Sequence, residues 1–215
     1  MHLEFIIDKE YDAKISLMRR TAKSREQVEE RYKSDMGLML VKKDEYQKSW
    51  DQINDDFSDY VERMTGYKWL HPEYECVLSC FNRGISNWGM DNRIVRSWTE
   101  DQFKMRRITA HELILMHYFE IYKENYVHEG LTEGQVWALA EIAAFALTSL
   151  TKEAELFWPG DTEYHTDHNY PHIVELQNEL KQVFLDSIKK SDFDHYMKVG
   201  INLVKKYPNM NPKGK

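Results

Sequence analysis

Tyr46, Trp50, Ile53, Phe57, Tyr60 and Met64 recur at spacings of four and three residues, the repeat of one face of an α-helix. The stripe stops at Thr65-Gly66, where a glycine suits a helix C-terminus. It predicts an amphipathic helix packed on a core through its aromatic face. Upstream, Ser24 and Gln27 stand at capping-box spacing and open a charged helix through residues 29–33. From Trp69 the pattern shortens. Residues 74–81 and 93–98 are short runs partly β-branched and aromatic, separated by the turn-rich Asn82-Arg83-Gly84 and Asn87-Trp88-Gly89. Such runs predict a small antiparallel sheet.

The next stretch loses its polar face. Residues 108–121 read ITAHELILMHYFEI, apolar nearly all round with His111 and Glu112 in the middle, and residues 136–150 read VWALAEIAAFALTSL, with Glu141 the single charge. Helices without a polar face are buried. Thr99 with Gln102 and Thr132 with Gln135 supply N-terminal capping signals, and a short loop around His128-Glu129-Gly130 joins the two helices, which predicts antiparallel packing with Glu141 facing His111. After Pro159-Gly160 a polar segment carries His165, His168, Tyr170 and His172 and reads as a loop. Pro171 then opens a helix with the stripe Ile173, Leu176, Leu180, Val183 and Phe184. Asp192 caps a last helix bearing Phe193, Met197, Ile201 and Val204, and the tail from Tyr207 is expected to fray.

Composition adds bounds. The chain has 215 residues, 42% hydrophobic and 13% aromatic, enough for one core. The predicted organisation is a single domain over residues 1–206, made of N-terminal helices (1–66), a small sheet (67–98) and site helices with C-terminal helices (99–206), followed by the tail 207–215. A formal charge of −7 argues against nucleic acid and anionic membranes, both of which need a basic surface. The pairs Arg19-Arg20 and Arg106-Arg107 are too short for such a patch and read as solvated or ion-paired. Cys76 and Cys80 form neither a metal knuckle nor a disulfide framework and read as reduced thiols. The start, MHLEFIIDKEYD, turns acidic at once, and no apolar run approaches membrane-span length, so a cytoplasmic protein is expected.

Glu141 is the feature that asks for chemistry. A carboxylate in an apolar helix costs several kcal/mol unless a cation, a metal or donors satisfy it. His111 is the nearest candidate in kind, and a metal-free pair would already satisfy both groups. A His-Glu pair on one helix with a Glu on the next resembles the gluzincin branch of the zincin zinc metallopeptidases, over residues 69–187. The resemblance implies an α+β, mostly helical, zincin-like fold with a small antiparallel sheet, whose edge strand can pair with an extended peptide. It implies His111 and Glu141 as zinc ligands, Glu112 as general base, and Tyr170 or His172 near the oxyanion. One position departs: where the motif His-Glu-x-x-His has its second histidine, this chain has Leu115, and His117 lies about 240° further round the helix than His111. Two functions follow: a degenerate gluzincin-like metallopeptidase, or a catalytically dead scaffold that binds a peptide or protein partner. A third reading, an unrelated helical protein, needs no zincin ancestry. A histidine from residues 165–172 would be the replacement third ligand.

Overall fold

The computed structural model describes residues 1–86, 91–160 and 171–210. In chain order the elements are β1 (His2–Ile6), α1 (Lys9–Met18), α2 (Arg25–Asp51), α3 (Asn54–Thr65), β2 (Glu73–Ser79), β3 (Gly84–Ser86), β4 (Arg93–Ser97), α4 (Gln102–Asn125), α5 (Glu133–Ser149), α6 (Lys152–Phe157), α7 (Ile173–Lys189) and α8 (Phe193–Val204). The protein is α+β and mostly helical. Residues 1–66 are therefore more than helices: the alternation His-Leu-Glu-Phe builds β1, which buries Leu3 and Phe5 and exposes His2 and Glu4.

The sheet is mixed, which corrects the antiparallel expectation. Its order is β1-β2-β4-β3, with β1 parallel to β2, β2 parallel to β4, and only β3 antiparallel to β4. The path from β1 to β2 runs through α1, α2 and α3, and a crossover of that length is what parallel pairing requires. Parallel strands are covered on both faces, and β2 shows it. Cys76 and Leu78 join the main core with Leu3, Phe5 and Ile94, while Val77 joins Val95, Ile85 and Ile15 of α1 in a smaller cluster on the other face.

One sheet edge is closed by side chains. Gln47 of α2 accepts from the Phe5 amide at 2.7 Å and donates to the Leu3 carbonyl at 3.0 Å. Asn54, first residue of α3, accepts from the Leu3 amide at 3.2 Å and from the Trp50 indole at 2.9 Å. These amides take the hydrogen bonds that another strand would take. The single helix expected from Tyr46 to Met64 is divided here, α2 ending at Asp51 and α3 restarting at Asn54, whose side chain binds β1.

α4 is the axis. It packs on α2, β3 and β4 and along α5, which is why it lacks a polar face. Asp101 caps it, accepting from the Phe103 and Lys104 amides, whereas Thr99 turns to Ser97. Arg106 is buried, and its partners among the described residues are neutral: it donates to the Ser49 hydroxyl and carbonyl, to Gln52 and to the Phe157 carbonyl, satisfying the C-terminal end of α2. Thr132 and Gln135 form the reciprocal capping box of α5, and Gln135 Nε2 also donates to the carbonyls of Val204 and Tyr207. At the start of the tail the Tyr207 carbonyl is thus held, and Met210 is fully buried. Among the described residues no helix is long and apolar enough to cross a membrane.

Candidate functional site

α4 and α5 bring His111 and Glu141 together, Nε2 to Oε2, at 3.2 Å. Both side chains retain a little exposure, 16% and 12%, so the pair lies just below the surface. Burial alone would push the imidazole down, but the charge and hydrogen bond of Glu141, aided by Glu112, outweigh it and raise the His111 pKa. A carboxylate on Nε2 fixes the tautomer and orientation of the ring.

Glu112, one position on, points toward the sheet. Its carboxyl lies over Gly84 at the start of β3, so close that a Cβ at residue 84 would collide with it, with Arg96 Nη1 on the same spot. Burial, reinforced by the charge of Glu141 and opposed by His111 and Arg96, pushes the carboxyl up to about 7. A carboxyl with that value exchanges protons near neutrality, the property a general base requires. Arg96 is fully buried and donates to the Arg83 carbonyl and to Glu100. The sequence carried a signal for it: strand alternation puts Arg96 on the face of Ile94, inside.

The other expected residues part from this place. Leu115 is in the core, one turn after His111. His117 is buried elsewhere, its Nε2 3.2 Å from Thr65 Oγ1 and its ring 4.6 Å from that of Trp69, and burial lowers its pKa to about 4. His172 is exposed at the start of α7, with φ 62°, its Nδ1 3.1 Å from Glu175 and its ring stacked on Tyr207. Nothing in these contacts joins His172 to His111. His165, His168 and Tyr170 lie outside the described residues.

Zinc held by protein takes three or four donors. The described residues supply two at this point, and no group of three His, Cys, Asp or Glu among them is arranged to hold a metal ion. They do not make a zinc centre by themselves.

At β3 opens a cleft of about 750 Å³ lined by Arg19, Thr21, Asn82, Arg83, Ile85 and Gly84, the residue that Glu112 lies over. Behind it lies a buried polar knot that sequence reasoning missed. Asp12 of α1, fully buried, accepts from Ser16 at 3.0 Å, Ser79 at 2.6 Å and Asn82 at 3.3 Å on one oxygen, and from Tyr32 at 2.8 Å and the Cys80 amide at 3.2 Å on the other. Only the sparse apolar pattern of α1 hinted that Asp12 would turn inward.

No protein-family model, curated protein or solved structure matches this chain.

Proposed function

We propose that this protein is a zincin-like scaffold without a working zinc centre, which holds a peptide or protein partner in the cleft beside β3. The observation that carries the reading is the direct His111–Glu141 contact with Leu115, a hydrocarbon, at the helical position where a second imidazole would complete the motif. Each buried polar group satisfies the other, so the apolar helices need no metal between them. The surroundings support a binding role. The His-Glu helix lies against β3, the terminal strand on the side of the sheet away from β1, and β1 is closed by Gln47 and Asn54. Arg19 and Arg83 line the cleft at β3, a charge that suits an acidic partner segment.

The alternative, a gluzincin-like metallopeptidase, draws on one observation: 3.2 Å between the two donor atoms is near the roughly 3.3 Å that separates two ligands of a tetrahedral zinc. It requires a third donor, for which His165 and His168 are the candidates. Elemental analysis, peptide hydrolysis and fluorescence anisotropy with labelled acidic and basic extended peptides separate the two. The scaffold reading expects substoichiometric zinc, no hydrolysis, and binding of acidic peptides that survives chelation and is lost in Arg19→Glu/Arg83→Glu. Full zinc occupancy with chelator-sensitive hydrolysis would replace it by the peptidase reading.

A further inference from the structure

A second cavity lies at the other end of α4, away from the cleft at β3. It is a groove of about 740 Å³ between the C-terminal half of α4, the start of α5 and the segment ahead of β2. Its walls are apolar: Leu70, Phe119, Tyr122, Val127, Leu131 and Val136. Leu70 and Val127, which line it, are 52% and 61% exposed. The volume is that of a small-molecule site.

Four carboxylates also line the groove, Asp91, Glu120, Glu124 and Glu133, and Glu120 is the sheltered one. Glu120 lines the groove with its side chain only 15% exposed, and its partners are weak or neutral. The Tyr74 hydroxyl donates to Oε2 at 3.4 Å, the Leu70 backbone lends a further hydrogen bond, and His71 Nε2 stands 3.9 Å from Oε1, beyond hydrogen-bond reach. Among the described residues no lysine or arginine is in ion-pair contact with it. Lys123, a neighbour on the helix that also lines the groove, is outnumbered by Asp91, Glu124 and Glu133 around it. The groove is therefore apolar across half of its lining and mostly negative in its charged groups, and the sheltered carboxyl has in ion-pair range, among the described residues, only His71, which is charged only when protonated.

We propose that this groove binds a small apolar amine, with its ammonium against Glu120 and its hydrocarbon part along Phe119, Leu131 and Val136. The carboxyl supplies the charge partner in a poorly hydrated setting, where an ion pair is worth more than at an open surface. Burial pushes the Glu120 carboxyl up to about 7, so at pH 8 it is mostly ionised and able to pair with a cation.

The experiment uses the full chain at pH 8 with 2-phenylethylammonium and its neutral counterpart 2-phenylethanol, read by calorimetry and by methyl NMR shifts of Leu70, Val127, Leu131 and Val136. The amine is expected to bind at least tenfold tighter than the alcohol and to shift these methyls. In Glu120→Gln that preference should vanish. Val136→Phe, which fills the groove and leaves the carboxyl in place, should weaken both probes, and it keeps the test open should the Gln variant not fold. Equal binding of amine and alcohol, an amine preference that survives Glu120→Gln, shifts confined to other methyls, or no binding of either probe would each overturn the proposal.

Discussion

Gly84 has no side chain because Glu112 occupies the place a side chain would take. Gly84→Ala is expected to cost about 1–3 kcal/mol by overpacking. In a Glu112→Ala background the same change should cost at least about 1 kcal/mol less, since contacting residues couple. Denaturant titration of the four proteins measures this, and an unchanged cost would mean that the two residues do not meet. His117 makes a prediction in pH. Its folded pKa is about 4, against an unfolded value of about 6.5, so the folded state keeps it neutral while the unfolded chain takes up a proton. Its contribution to stability is present above pH about 6.5 and is lost as pH falls toward about 4. His117→Phe should flatten the acid limb by up to about 1.4 kcal/mol per pH unit in that window, in stability curves taken against the parent. Glu112 and Glu120, raised to about 7, act in the opposite sense: the folded state holds their protons, so they favour folding as pH falls from about 7 toward the ordinary carboxyl range.

α4 and α5 hold the candidate site by helix geometry, and that geometry can be used to test it. Leu115 follows His111 by one turn, on the same face. Leu115→His should cost the apo protein a few kcal/mol, about 2–5 if the site tolerates the ring poorly. Added zinc should restore part of it, because a ligand that binds only the folded state stabilises it. The melting temperature should rise with zinc in Leu115→His, and rise less in the parent and in Leu115→His/Glu141→Gln. Equal shifts in the single and double variants would show that Leu115 and Glu141 face different places.

Across the molecule, Asp12 joins α1, α2 and the end of β2 through five donors. Asp12→Ala strands these donors inside the protein, each at about 1–3 kcal/mol when left without an acceptor. A loss of at least about 3 kcal/mol is expected from chemical unfolding, with the cleft at β3 disturbed because Asn82 belongs to both. A loss below about 1 kcal/mol would mean that water or local shifts replace the carboxylate.

Periodicity and capping chemistry were readable along the chain because they are decided within a few residues. The second half of the stripe from Tyr46 to Met64 (Phe57, Tyr60, Met64), the glycine stop at Gly66, the Ser24 cap, the Thr132–Gln135 box and the Asp192 cap all lie where the sequence points. The meeting of His111 and Glu141 was legible for a related reason: two polar groups stranded in apolar helices joined by a short loop have few ways to avoid burial without a partner. Strand direction was not legible. Two short apolar runs look alike whether they pair parallel or antiparallel, and the choice rests on the path of α1, α2 and α3 from β1, which is long-range. Nor could spacing foretell that Arg106 would satisfy the end of α2, that Asn54 would break a continuous stripe to reach β1, or that Asp12 would collect five donors. Those partners are distant in sequence and adjacent only after folding. Sequence alone thus determined the buried helices α4 and α5, the caps at Ser24, Thr132 and Asp192 and the His-Glu pairing, whereas tertiary structure decided the order of the sheet, where the stripe from Tyr46 to Met64 breaks, that Asp101 and not Thr99 caps α4, and where the cavities lie.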